Sequence, residues 1–113
     1  MAIEIGDRAL ATDNEGYLLD PSEWSEDVAE AIARREGLTL SEERWAVVRF
    51  VREHFEFRQS VPEARFALKA MREHLGQEKA TRKYLYQLFP YGYGQQACKI
   101  AGMRKPLKLM LDV

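Results

Sequence analysis

The feature that most constrains this chain is the run from Glu42 to Arg58, seventeen residues without glycine or proline, preceded by Ser41. A serine at that place can accept a backbone N–H of the first helical turn, and Leu40 and Trp45 have the spacing of a hydrophobic staple around it. Trp45, Val48 and Phe55, flanked by Val47 and Val51, make a broad apolar stripe, while Glu43, Arg44, Arg52, Glu53 and Glu56 fall on the side expected to face water. A helix with such a face has to bury it, so this one is expected to be the spine of the core.

The remaining helices are read from their punctuation. Ser25-Glu26-Asp27, just after Trp24, suits a helix N-terminus, and Val28, Ala29, Ile32 and Ala33 continue an apolar face until Gly37. Pro62 stands where a first helical residue is expected, with Ala64, Ala67, Leu68, Met71 and Leu75 at helical spacing up to Gly76. After the break at Gly76-Gln77-Glu78-Lys79, Ala80 to Phe89 reads as a fourth helix stopped by Pro90, and the pair has a helix-turn-helix outline.

In front of these helices, Ile3 to Leu10 alternates about Gly6-Asp7 as a small hairpin within residues 2–12, and a second turn follows at Asp13-Asn14-Glu15-Gly16. Behind them, Tyr91-Gly92-Tyr93-Gly94 reads as a chain break, and Gln95 to Ala101 as one or two helical turns before Gly102. Met103 to Val113 has neither cap nor period and reads as a tail or arm. The expected fold is mainly α with a minor β part: an orthogonal helical bundle with a helix-turn-helix-like core, an N-terminal hairpin and a C-terminal arm. It forms a single domain over 1–113, with the helical core at 25–89 and the cysteine-bearing segment and arm at 90–113.

At 113 residues the chain can bury one modest core. No stretch approaches the ~20 apolar residues of a membrane span, and MAIEIGDRALATD is charged where a signal peptide would be apolar. The expectation is a cytoplasmic protein without a membrane partner, monomeric or weakly dimeric. Charge is divided unevenly: residues 1–60 hold 14 acidic against 7 basic side chains, and residues 61–113 hold 4 against 10. The basic half can attract nucleic acid, an acidic protein or an anionic ligand.

Cys98 is the single cysteine, which excludes an intramolecular disulfide and a multi-cysteine zinc site. Lys99, Arg104 and Lys105 lie near it in sequence and could stabilise a thiolate; equally, Cys98 fits as a small buried hydrophobe beside Ala97 and Ile100. His54 and His74, twenty positions apart on different helices, lack the spacing of a helical metal pair. No metal or cofactor is expected, and the common hydrolase and NTPase motifs are absent from the sequence. Tyr84, Tyr86, Phe89, Tyr91 and Tyr93 lie among Arg82, Lys83 and Lys99, a composition that suits base stacking, protein docking or core packing.

The segments Tyr84-Leu85-Tyr86-Gln87-Leu88-Phe89-Pro90 and Gln96-Ala97-Cys98-Lys99-Ile100-Ala101-Gly102, followed by Lys105-Pro106, closely resemble the DsrC/TusE family of sulfur-relay proteins. The resemblance extends through Glu15-Gly16-Tyr17-Leu18, Trp24, Trp45 to Arg52 and Lys69-Ala70, hence essentially the whole chain. It implies a mostly helical fold and an arm that inserts into partners. It also implies sulfur carried as a cysteine persulfide, to or from a dissimilatory sulfite reductase or in the relay that makes 2-thiouridine in tRNA.

The family's relay members use a cysteine next to the end of the arm, and the dissimilatory type adds one in C-K-I-A-G. Cys98 matches the internal cysteine; the near-terminal place, eleven positions on, holds Leu109. Tyr93, Gly94 and Gln95 stand where the family commonly reads Pro-Ala-Lys, and Arg104 where Pro is usual. One thiol leaves persulfide or mixed-disulfide chemistry and removes any two-cysteine cycle within the chain.

Three functions follow as expectations. The first is a sulfur carrier using Cys98 as nucleophile, with Tyr91, Tyr93, Lys99, Arg104 and Lys105 meeting sulfur-relay partners or a sulfite-reductase-like complex. The second is a regulator without sulfur transfer that binds DNA or a partner complex through the helix-turn-helix outline and the basic C-terminal arm, with Arg82 and Lys83 as its nucleic-acid contacts. The third is a docking subunit that tunes a partner complex. An apolar tail at Leu109-Met110-Leu111 suits packing in a groove better than presenting a terminal sulfur.

Overall fold

Ser41 caps the longest helix as its sequence requires: its hydroxyl accepts the Arg44 N–H at 3.2 Å, and the helix runs Glu42–Arg58 (α2) in this computed structural model. The structure describes residues 1–106. Around α2 are strands β1 (Ala2–Ile5) and β2 (Arg8–Ala11), helices α1 (Glu26–Arg35), α3 (Ala64–Leu75) and α4 (Arg82–Leu88), and a short α5 (Cys98–Ile100). Single 3-10 turns lie at Pro21–Glu23 and Gln77–Lys79, and a π-helical turn at Tyr93–Ala97 leads directly into α5.

The strands pair antiparallel, Ile3 opposite Leu10 and Ile5 opposite Arg8, about Gly6-Asp7, with Gly6 at φ 61°. That register puts Ile3 and Leu10 on one face, where both are buried. Beyond the hairpin, Asp13 Oδ1 accepts the N–H groups of Glu15 and Tyr17 at 2.8 and 3.0 Å. This turn aims Tyr17 and Leu18 inward, where they are 2% and 0% exposed.

Two boundaries differ from the expected ones. α3 begins at Ala64 with Glu63 as its N-cap, so Pro62 lies outside the helix. α4 begins at Arg82, because the Thr81 hydroxyl accepts the Tyr84 N–H at 3.1 Å and sets the start there rather than at Ala80. The helix-turn-helix outline reduces to a twelve-residue α3 and a seven-residue α4 joined by a 3-10 turn. Tyr84 and Lys79 of this corner are tied to α2, since Glu43 accepts from both, Lys79 at 2.5 Å.

The larger differences concern the C-terminal part. Tyr93-Gly94 is helical rather than a break, and Tyr93, Ala97, Cys98, Ile100, Ala101 and Met103 are each at most 1% exposed. Apart from the exposed Gln95, residues 93–103 are therefore core, and Met103, expected in the arm, is fully buried. The charges Arg52 and Lys99 are also interior, each 7% exposed, although Arg52 falls on the side of α2 that its sequence assigns to water. Residues 107–113 of the expected arm, including Leu109, Met110 and Leu111, lie outside the described residues.

Candidate functional site

The one thiol of the chain opens α5 and has no exposed surface. Around it the segment 93–103 is held by side chains from every earlier part of the chain. The Tyr17 hydroxyl donates to Gly94 O at 2.9 Å, and the Trp24 indole N–H donates to Ile100 O at 2.8 Å. The Arg52 guanidinium reaches Ala101 O at 3.4 Å and lies 4.8 Å from the centre of the Trp24 ring. The Tyr93 hydroxyl donates to Pro62 O at 2.7 Å.

Glu36, the C-cap of α1, accepts from Lys99 Nζ at 3.0 Å and from Gln96 Nε2 at 3.4 Å. The Lys99 ammonium also sits 4.9 Å over the Tyr17 ring. A nearly buried cation needs such partners, since an ammonium stripped of water is costly unless paired and hydrogen-bonded. Lys99 therefore serves Glu36.

Burial pushes the Cys98 thiol up to about 12, with the Tyr93 phenol pulling weakly the other way. Burial likewise holds the Tyr17 and Tyr93 phenols well above their ordinary range, with Cys98 itself adding to both. The cations near Cys98 in sequence do not rescue the thiolate. Lys99 turns to Glu36, Lys105 pairs with Glu15 at 2.6 Å on the surface, and Arg104 is exposed. The closed site keeps Cys98 as a neutral thiol, which is a poor nucleophile.

Three buried groups, Cys98, Tyr17 and Tyr93, hold their protons more tightly folded than unfolded and make stability pH-dependent in a definite direction. The unfolded thiol titrates near ~8.5, so its contribution is complete below about pH 8.5 and is lost as pH rises toward about 12; the unfolded phenols titrate near ~10, so theirs is lost only from about pH 10 upward. The urea midpoint should therefore fall steadily above about pH 9, and Cys98→Ala should flatten the part between about pH 8.5 and 10 while leaving the steeper tyrosine part. Equal slopes for both proteins in that window would contradict a buried protonated thiol.

Of the other residues singled out by sequence, Tyr91 is 70% exposed and, with Arg104 and Lys105, forms part of the accessible surface. Tyr93 and Lys99 are interior and unavailable to a partner in this form, because a phenol and an ammonium already committed to Pro62 O and Glu36 stabilise the core from inside. Arg82 and Lys83 are both exposed in the first turn of α4. His54 and His74, though far apart in sequence, line one cleft of about 930 Å³ between α2 and α3, with Phe50, Pro62 and Phe66. Among the described residues no three His, Cys, Asp or Glu side chains are grouped to hold a metal. Nor is any helix there long and apolar enough to cross a membrane.

Tyr17, Trp24, Glu36 and Arg52 are the site residues that local reading missed as such. Their one sequence signal is that Trp24 is a large aromatic just before a helix, and nothing local marks Glu36 or Arg52 as reaching another element. Fold and site together define a small, mainly helical protein with one thiol enclosed by its own C-terminal segment. The chain belongs to the DsrC family: residues 4–110 match the family model described as DsrC like protein.

Its relatives include Sulfurtransferase TusE of Escherichia coli, 51% identical over 102 residues, which are 89% of this chain and 93% of that one. Sulfurtransferase TusE of Pectobacterium atrosepticum is 46% identical over 106 residues, 94% of this chain and 97% of that one. Among solved structures, the oxidized gamma-subunit of the dissimilatory sulfite reductase (DsrC) from Archaeoglobus fulgidus superposes with TM-score 0.86 at 33% identity, over 95% of this chain and 97% of that one. The NMR structure of Allochromatium vinosum DsrC gives 0.83 at 44% identity, with the same coverage.

Proposed function

We propose that this protein is a sulfur-relay carrier that takes up sulfane sulfur as a persulfide on Cys98 and passes it to an acceptor. The observation that carries the reading is the match along nearly the whole chain to relatives named as sulfurtransferases, in a protein with one thiol to hold the sulfur. In the loading step the Cys98 thiolate attacks the outer sulfur of a donor persulfide. A new S–S bond forms to Cys98, the donor's S–S bond breaks, and the donor leaves as a thiolate, so the exchange needs no external oxidant. Discharge repeats the exchange, with the acceptor's nucleophile attacking the outer sulfur and Cys98 leaving.

Burial and the raised proton affinity of Cys98 mean that loading takes place in a form where the thiol is uncovered. Partners are accordingly relay proteins that engage the exposed Tyr91, Arg104 and Lys105, with the family's two destinations, a sulfite-reductase-like complex and tRNA thiolation, as the acceptor classes. A cytoplasmic setting suits a chemistry that depends on a reduced thiol. Neither the relatives nor the geometry favours DNA binding through Arg82 and Lys83. One observation favours a docking subunit that carries no sulfur: Cys98 has no exposed surface.

Intact-mass measurement after incubation with a persulfidated sulfurtransferase separates the two. A carrier gains one sulfur atom on the wild type and none on Cys98→Ser. A wild type that stays unmodified while a relay partner is still retained would overturn the carrier and leave the docking subunit.

A further inference from the structure

Helix α5 ends in a Schellman turn: the Gly102 N–H bonds Lys99 O at 3.0 Å, and the Met103 N–H bonds Cys98 O at 3.1 Å. Gly102 takes φ 82°, and the chain folds back so that Met103 meets the first residue of its own helix, Cys98. Turns of this kind commonly pack the side chain after the glycine against the residue five positions earlier. Met103 and Cys98 are both 0% exposed within the same core cluster, whereas the next residue, Arg104, is exposed. Trp24 seats the turn, since its indole lies so near that a Cβ on Gly102 would come within 2.4 Å of it.

We propose that Met103 is a lid over Cys98, hinged at Gly102, and that a partner drawing the chain away from residue 104 onward lifts it. Docking of the arm and exposure of the thiol are then one event. This rests on the reading of Cys98 as the sulfur-bearing residue and adds how a closed carrier is made reactive only where a partner waits. Lifting the lid breaks the two turn bonds and unseats one side chain. Displacing the whole of residues 93–103 would instead break the contacts to Tyr17, Trp24, Glu36, Arg52 and Pro62 together.

The first contact to be exchanged is Lys105 with Glu15, an exposed ion pair for which a partner's carboxylate can substitute. The partner this fits is a protein groove with an acidic rim, which meets the exposed Arg104 and Lys105.

Native-state labelling with iodoacetamide in rising, sub-denaturing urea tests the lid without any sulfur donor, so it can fail or succeed independently of persulfide uptake. At zero urea Met103→Ala should label at least about tenfold faster than wild type, with a rate nearly flat in urea, as for a local opening. Met103→Leu should return to within about threefold of wild type. Met71→Ala, which trims an equally buried methionine on α3, should stay within about threefold.

Equal rates for Met103→Ala and wild type would overturn the lid. So would wild-type labelling that climbs with urea as steeply as global unfolding, and this second measurement decides the matter even if Met103→Ala does not fold.

Discussion

Native protein at pH 8 is expected to alkylate at Cys98 about 10³-fold more slowly than the same chain unfolded in urea. With the thiol pushed up to about 12 by burial, roughly one native molecule in 10⁴ carries a thiolate at pH 8, against about a quarter of unfolded ones titrating near ~8.5. The pH profile is a sharper test than the rate itself. Unfolded chains should level off above about pH 9.5, while the native rate should keep rising about tenfold per pH unit as long as the closed, protonated form predominates. Iodoacetamide labelling followed by intact mass gives both curves. A native rate within about tenfold of the unfolded one, or a native plateau near pH 9.5, would mean that Cys98 is exposed at rest and that no masking step precedes sulfur loading.

This masking was only half legible in the sequence. The helices were, because their apolar spacing and the caps at Ser25 and Ser41 are local properties, and so was the hairpin about Gly6-Asp7; the Thr81 cap that moves the start of α4 was not read. The family was legible too, from the residues about Cys98 and Trp45. The surroundings of Cys98 were not. A lysine, an arginine and a second lysine close to it in sequence suggested an electropositive thiol, yet Lys99 turns to Glu36, and Arg104 and Lys105, beyond the closing turn of α5, lie on the surface.

Arg52 shows the same limit. Its place on α2 is fixed by periodicity, but whether that side meets water depends on Trp24 and Ala101, from distant parts of the chain. Tyr93-Gly94 misled for a related reason. Glycines on either side of a tyrosine normally punctuate a chain, whereas here the phenol's bond to Pro62 O and the Tyr17 bond to Gly94 O hold the segment in a π-helical turn.

The same closing turn occurs twice, which allows the hinge to be weighed with an internal control. At the end of α1, Gly37 N–H bonds Arg34 O and Leu38 N–H bonds Ala33 O, with Gly37 at φ 76°. At the end of α5, Gly102 makes the matching pair at φ 82°. An alanine at either place bears the cost of a left-handed residue, about 1–2 kcal/mol. At Gly37 a Cβ would meet nothing within 4 Å, so that cost is the whole effect.

At Gly102 the added atom would fall 2.4, 2.7 and 2.9 Å from three Trp24 atoms. The indole, held by its bond to Ile100 O and stacked under Arg52, has to move or push the turn away. Overpacking of that kind adds about 1–3 kcal/mol, and Gly102→Ala should thus lose about 2–5 kcal/mol in urea unfolding against about 1–2 for Gly37→Ala. On a stability in the middle of the usual range, about 10 kcal/mol, such a loss leaves a protein folded but loosened where the thiol is covered. Equal losses for the two alanines would mean that Trp24 does not seat the turn, and the Met103 lid would lose its anchor.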